Sequence, residues 1–152
     1  MPESAPPDGL PSHRVLVRAL PGDIDELDHV SNLVYLRWVQ EVAMAHSVHV
    51  GWDHPQYRAL GAVFVVRRHE IDYVVPVLEG EEVELVTWVA WWKAVSTERR
   101  TIIRRVRDGQ VVARAATLWA FIDFATGRPR RISHEVKVAF GLVAADVSSS
   151  SA

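Results

Sequence analysis

The pattern of hydrophobic and polar positions first marks one long helical segment. No Gly or Pro occurs between Asp23 and Val50, and from Leu33 to Val48 most side chains are apolar. The polar residues in this stretch, Arg37, Gln40 and Glu41, recur at a spacing of three and four and form one strip. The pattern predicts a helix that begins near Ser31, with Ser31 or Asn32 as its cap, and that is buried on most sides.

Beyond Gly61 the pattern changes to a period of two residues, which is typical of β-strands. It predicts long strands over 62–75, 81–92, 96–107 and 111–124, after a shorter one over 13–20 and before a short helix over 133–140. Asp108-Gly109 is a hairpin sequence, and a bulge is expected near 67–69. In the strand over 81–92 we expect Val83, Leu85, Val89 and Trp91 on the core face and Trp88 and Trp92 on the opposite face. Successive hairpins imply an antiparallel sheet that curls around the helix, an α+β fold.

Length and composition fit one globular domain. The chain has 152 residues, of which 49% are hydrophobic and 24% charged. Prolines cluster before residue 13 and serines near the end, so we predict a flexible N-terminus over 1–12, one domain over 13–141 and a flexible tail over 142–152.

Composition also argues against several classes of protein. The chain lacks a bilayer-length apolar run and a signal-like N-terminus, and it has no cysteine for disulfides or thiolate zinc sites. A formal net charge of -2 argues against general nucleic-acid affinity. The histidines at 46, 49 and 54 lack a carboxylate to complete a metal site. We therefore expect a cytoplasmic protein with no cofactor, no metal, no membrane association and no nucleic-acid partner.

The densest polar cluster lies just before the long helix. Seven polar residues occur within ten positions: Asp23, Asp25, Glu26, Asp28, His29, Ser31 and Asn32. An aspartate in a turn before a helix is, on general grounds, more often a cap or turn former than a catalytic group. Asp23 is expected to be mainly a structural hydrogen-bonding partner, and His29 is equally well explained as a satisfied, half-buried side chain.

The motif Asp23-x-Asp25-x-x-x-His29-Val30-x-Asn32-x-x-Tyr35-Leu36, with the order strand, long helix and four strands, resembles the hotdog fold. More narrowly, the chain is similar to acyl-CoA thioesterases of the 4-hydroxybenzoyl-CoA thioesterase type over 13–140. The resemblance implies a long central helix wrapped by a curved antiparallel sheet of about five strands. It also implies a homodimer or homotetramer whose sheets join edge to edge, with active sites at the subunit interface. Asp28 and Ser31 depart from the Gly and Asn that the family often has, and Ala43 from an Arg.

The resemblance places the family's catalytic carboxylate at Asp25, as nucleophile or as general base on water. His29 and Asn32 are expected to orient substrate or water. The positive end of the helix dipole would let the backbone N–H groups of Asn32 and Leu33 polarise the thioester carbonyl. Glu41 is the rival carboxylate, although its spacing from Arg37 predicts an ion pair.

An acyl-CoA substrate would also need an acyl pocket and cations for its phosphates. Leu33 and Tyr35 are candidate acyl contacts, with core packing as the alternative for Tyr35. The resemblance indicates that four residues contact CoA: Lys93, Ser96, Arg128 and Arg130.

Three other functions stay open at this level. A non-catalytic hotdog protein that binds an acyl thioester would tolerate Asn in place of Asp25. A nucleic-acid binder would use the arginines between 99 and 107, but strand alternation divides them between both faces. A hotdog dehydratase lacks its expected His/Asp motif.

Overall fold

The computed structural model describes residues 3–142 and has the predicted order of elements. The strands are β1 (Ser12–Arg18), β2 (Ala62–Tyr73), β3 (Glu82–Trp92), β4 (Ser96–Arg105) and β5 (Val111–Asp123). The helices are α1 (Asn32–His49), α2 (His54–Leu60) and α3 (His134–Ala139), with a 3-10 turn over Pro21–Asp23. All strand pairs are antiparallel, in the order β1-β3-β4-β5-β2. The predicted α+β class and five-stranded sheet are confirmed.

The main core lies between α1 and the inner face of the sheet. Trp38, Val39 and Val42 of α1 are almost fully buried in one cluster with Leu85 and Ile103 of the sheet. Removing such side chains from water is the main stabilising contribution to a fold of this kind. The long helix and the sheet therefore depend on each other for their stability.

One side of α1 is less buried than its apolar sequence predicts. Leu33, Met44 and Val48 are 77%, 68% and 52% exposed, and Gln40 lies between them on the same side of the helix. Successive positions are seven, four and four residues apart, so they form a partly apolar strip along one helix face. The expectation of burial on most sides is correct for the sheet-facing side and wrong for this strip.

Bulges set which strand residues face inwards. The register between β2 and β5 shifts between Val66 and Arg68, as predicted near 67–69. A second shift, between Val89 and Trp91, reverses the predicted alternation at the end of β3. As a result Trp92 packs into an inner cluster with Phe140, whereas we had placed Trp91 on the core face.

A second, smaller core closes the far end of α1. This cluster includes Tyr57 of α2, Phe121 of β5, Val136 of α3 and Phe140, which ends α3. α2 is a seven-residue helix that the predicted elements do not include. Its start is fixed by Asp53, whose side chain accepts a hydrogen bond from the Gln56 N–H. None of the helices within residues 3–142 is long and apolar enough to cross a membrane.

The described part of the N-terminus lies on the outer face of the sheet. Glu3 forms an ion pair with Arg100 at 2.6 Å, and its backbone carbonyl accepts from Arg114 Nε. Trp88 is fully buried on this outer side. The flexible N-terminus over 1–12 and the tail over 142–152 stay predictions, and nearly all of that tail lies outside the described residues.

Candidate active site

The segment 23–31, which we call the Asp25 loop, is held at both ends by hydrogen bonds. Asp23 is 7% exposed; its side chain accepts from the Leu20 N–H and from Arg37 Nη2, both at 2.9 Å. The carbonyl of Asp23 accepts from the Ser31 N–H at 3.0 Å. Burial by itself would raise the pKa of Asp23, but the hydrogen bonds from Leu20 and Arg37 outweigh it and lower the pKa. Asp23 is therefore structural, as predicted.

Asp25 lies half-buried in a tight turn inside this loop. Its N–H donates to the His29 carbonyl, and its carbonyl accepts from the Asp28 N–H, both at 3.0 Å. Oδ1 accepts from the Leu27 N–H at 2.9 Å, which fixes the side chain. Oδ2 has no hydrogen-bond partner among residues 3–142. This oxygen is thus available to a water molecule or a substrate.

Asp28 makes this turn possible in an unusual backbone conformation. Its φ is 67°, and it is the one non-glycine residue within 3–142 with a positive φ. Glycine adopts such a conformation without steric cost, while aspartate is among the few other residues that tolerate it. The family's frequent glycine at this position thus has a physical explanation, and Asp28 preserves the turn.

The N-terminus of α1 adjoins this loop and offers one unused donor. Ser31 caps the helix as predicted, because its Oγ accepts from the Leu33 N–H at 3.2 Å. That bond occupies one of the two N–H groups expected to polarise a carbonyl. The Asn32 N–H has no acceptor in the described part of the chain. Asn32 is exposed, and its carbonyl accepts from the Tyr73 hydroxyl at 3.3 Å.

Three other predicted residues lie near this end of α1. His29 is half-buried, and the Leu33 side chain is exposed to solvent. Tyr35 is 2% exposed and packs in the core, where its hydroxyl accepts from the Val77 N–H. Glu41 lies 3.6 Å from Arg37 in the predicted ion pair, so the rival carboxylate already has a partner.

A mostly apolar cavity of about 530 Å³ lies towards the opposite end of α1. Its walls come from the later turns of α1, from α2, from the first half of β2 and from the inner face of the sheet. The first α1 residue in its wall, Gln40, is eight positions beyond Asn32, or about 12 Å along the helix axis. Val48 is about 24 Å along it.

The four predicted CoA contacts lie at the cavity's end of the sheet. Lys93 and Ser96 flank the β3–β4 turn, where the Lys93 N–H donates to the Ser96 carbonyl. Lys93 Nζ lies 4.7 Å from the centre of the Trp91 ring and is exposed, as is Arg128. Arg130 Nη1 is 3.5 Å from Asp123 and 3.4 Å from the Leu60 carbonyl. The backbone segments that contain them adjoin, because the Ile132 N–H donates to the Ala94 carbonyl at 2.8 Å. They lie at the end of β3, whereas the Asp25 loop follows Ala19, which is hydrogen-bonded to Glu81 immediately before the start of β3.

Sequence comparison decides the family. Residues 19–140 match the thioesterase-like superfamily. The chain belongs to this superfamily. The matched range includes the whole Asp25 loop, α1 and all of β2 to β5, and the expected hotdog fold is confirmed.

Individual relatives are more distant. The chain is 25% identical over 130 residues to the chloroplastic oleoyl-acyl carrier protein thioesterase 2 of Arabidopsis thaliana, covering 82% of this chain and 35% of that one. It therefore spans about a third of that relative. A 1,4-dihydroxy-2-naphthoyl-CoA thioesterase from Synechocystis superimposes with a TM-score of 0.79 at 14% identity, over 86% and 96% of the two chains. A DHNA-CoA thioesterase from Staphylococcus aureus superimposes with a TM-score of 0.76 at 16% identity, over 84% of this chain and 89% of that one.

The cavity contains one residue that the sequence analysis did not single out. Arg99 is 6% exposed and lies in the cavity wall. The sequence analysis groups it with the other arginines between 99 and 107. Strand alternation places it on the same face as Thr97 and Thr101, which are both buried, and this is the sequence signal that indicates its direction.

Proposed function

We propose that this chain hydrolyses an acyl-CoA thioester to a free carboxylic acid and CoA. The observation that carries this proposal is that one short segment presents two groups without hydrogen-bond partners among residues 3–142. One is a carboxylate oxygen, Asp25 Oδ2, and the other is a donor at the helix N-terminus, the Asn32 N–H. Both lie in one short segment that falls inside the family match. Membership of the thioesterase-like superfamily supports the same reaction.

Two routes use the same groups. In the general-base route, Asp25 takes a proton from water while the water oxygen attacks the thioester carbonyl carbon. In the nucleophilic route, Asp25 itself attacks and water then hydrolyses the resulting anhydride. In both, negative charge develops on the carbonyl oxygen, where the Asn32 N–H and the α1 dipole stabilise it. The carbon–sulfur bond then breaks, and CoA leaves as a thiolate that takes up a proton. His29 and the Asn32 side chain would orient the substrate or water.

The Asp25 loop and the apolar cavity lie towards opposite ends of α1, and this separation favours a dimer. β2 is an edge strand, whose unpaired backbone groups are suited to pairing with a second copy. If two β2 strands pair antiparallel about a two-fold axis, the end of one meets the start of the other. Tyr73, which contacts Asn32, would then lie beside the cavity wall formed by Val63 to Val66 of the second copy. Each active site would combine the Asp25 loop of one protomer with the acyl cavity of its partner.

CoA is the proposed carrier because exposed Lys93 and Arg128 lie at the cavity's end of the sheet, with Ser96 and Arg130 beside them. The similarity to plant enzymes named for acyl carrier protein makes that carrier the alternative. The cavity, rather than Tyr35, is the proposed acyl site, with Leu33 at its approach. The narrower likeness to 4-hydroxybenzoyl-CoA thioesterases and a cytoplasmic location stay predictions.

The test is steady-state hydrolysis of short, long and aromatic acyl-CoAs and of an acyl carrier protein thioester. We expect Asp25→Asn to lower kcat by about 100-fold to 10,000-fold, the usual contribution of a positioned acid or base. Glu41→Gln, which removes the rival carboxylate, should keep most of the activity. An Asp25→Asn variant that is folded and fully active would overturn the assignment. A wild-type protein that binds thioesters without hydrolysing them would instead be a non-catalytic binder.

A further inference from the structure

Arg99 lies on the inner face of the sheet, beneath the later turns of α1. It is paired in register with Val89 on β3 and Thr117 on β5, which places it in the middle of the sheet. Its side chain is buried, with a relative exposure of 6%, yet it forms part of the cavity wall. It is the one strongly basic side chain in that wall.

The partners of this guanidinium are all neutral. Nη1 donates to His46 Nδ1 at 2.9 Å and to Thr87 Oγ1 at 3.2 Å. Burial, followed by the nearby Arg99 charge, lowers the pKa of His46 to about 3, so the imidazole is neutral and accepts this bond. Within residues 3–142, Nε and Nη2 have no hydrogen-bond partner, and no carboxylate lies within ion-pair distance. The cation thus has unused donors.

An unpaired buried cation needs a reason, because taking a charge out of water is costly unless an opposite charge accompanies it. Burial lowers the pKa of Arg99 to about 10, which still leaves the group charged at neutral pH. A second donor lies on the same face: Trp119 Nε1 is buried, has no partner among the described residues, and its side chain lines the cavity. Trp119 pairs with Thr97, two residues before Arg99.

The rest of the cavity surroundings do not neutralise this charge. Asp53 is the one carboxylate in the wall; it is exposed at the rim, and its Oδ1 accepts from the Gln56 N–H. His54 beside it is also exposed. The remaining wall is largely apolar and suits methylene groups. A mostly apolar cavity that has a fixed cation and an indole N–H matches a ligand with an apolar body and an anionic end.

We propose that the cavity recognises acyl groups that carry a second carboxylate at their far end, with Arg99 as the residue that binds it and Trp119 as a second donor. A carboxylate fits the planar guanidinium because two of its N–H groups bind both oxygens at once. This proposal rests on the proposed thioesterase function, of which it names the substrate class.

The kinetic test compares two acyl-CoAs of equal chain length, one ending in a carboxylate and one in a methyl group. We expect wild type to favour the carboxylate-ended substrate at least tenfold in kcat/KM. Arg99→Met should lower this ratio by about tenfold to a hundredfold, the usual range for a charge-assisted hydrogen bond. Arg131→Met, which removes an exposed arginine, should leave the ratio unchanged. Trp119→Phe should lower the ratio by less than Arg99→Met.

A binding test separates this proposal from the reaction itself. Calorimetry would compare the monomethyl ester of decanedioic acid, which keeps one terminal carboxylate, with methyl decanoate, which has none, on the intact protein and without any thioester. Binding of the carboxylate-ended ester at least tenfold tighter, lost in Arg99→Met, supports the proposal even if no thioester is hydrolysed. If wild type prefers methyl-ended ligands in both assays, or if Arg99→Met lowers kcat/KM for both substrates equally, Arg99 is structural and the proposal is overturned. If Arg99→Met does not fold, the proposal is tested by the preference of wild type for the carboxylate-ended substrate and by the decrease of that preference in Trp119→Phe. Absence of the wild-type preference overturns the proposal.

Discussion

Arg37 Nη2 lies 2.9 Å from Asp23 Oδ1, so a guanidinium on the exposed side of α1 holds the buried carboxylate at the start of the Asp25 loop. The same arginine lies 3.6 Å from Glu41 one turn further along. This arrangement couples the loop that contains the proposed catalytic Asp25 to helix α1. A substitution of Asp23 is therefore the most direct way to weaken the attachment of the loop to α1.

We predict that Asp23→Asn lowers the free energy of unfolding by about 1 to 3 kcal/mol at pH 7, because it weakens hydrogen bonds to a buried charged group. The pKa of Asp23 is lower in the folded than in the unfolded chain. Its contribution is thus fully present above the unfolded pKa of about 4 and is lost as the pH falls through the folded pKa.

Urea unfolding at pH 7 and at pH 3 checks this prediction. The difference in free energy of unfolding between wild type and Asp23→Asn should be smaller at pH 3 than at pH 7. Glu79→Gln, which changes an exposed carboxylate, is the control and should have little effect at either pH. A difference of the same size at both pH values would mean that the Asp23 charge does not stabilise the loop.

The positive φ of Asp28 gives a second prediction, again about stability. Asp28→Gly should change the free energy of unfolding by no more than about 1 kcal/mol in either direction, since glycine relieves backbone strain but has more freedom in the unfolded chain. Asp28→Val should destabilise by more than about 1 kcal/mol, because a β-branched residue strongly disfavours this conformation. Thermal unfolding of Asp28→Gly, Asp28→Val and Asp28→Asn measures these differences. Equal stability of the Val and Gly variants would contradict the positive φ.

Much of the fold could be predicted because its sequence periods are strong. The long segment without Gly or Pro predicted α1, and Ser31, one of its two predicted caps, is the cap. Alternation predicted the bounds of the four later strands to within a few residues. Alternation fails where a bulge changes the register, which is why Trp91 and Trp92 exchanged faces. A bulge depends on the pairing of two strands, so one strand's pattern does not reveal it.

The site could be predicted only in part. The family motif indicates Asp25 and the helix N-terminus as the candidate site, and this stays a prediction. The motif does not indicate that the Ser31 hydroxyl already accepts from the Leu33 N–H. The apolar cavity is formed by elements distant in sequence, and its position about 12 Å or more from the helix start emerges only in three dimensions. Arg99 shows the same limit, because strand alternation places it on one face with Thr97 and Thr101 but does not by itself tell which face is buried.

The measurement that tests the central claim most directly is complementation between two inactive variants. One is Asp25→Asn; the other, Met44→Trp with Val48→Trp, fills the cavity from the exposed strip of α1. If each site combines the Asp25 loop of one protomer with the cavity of its partner, a mixed dimer has one intact site. Refolding the two variants together at equal amounts should then restore about a quarter of wild-type activity, since half of the dimers are mixed and each has one intact site of two. Activity no higher than that of the separate variants would contradict the account, because it would mean that no active site is shared between protomers.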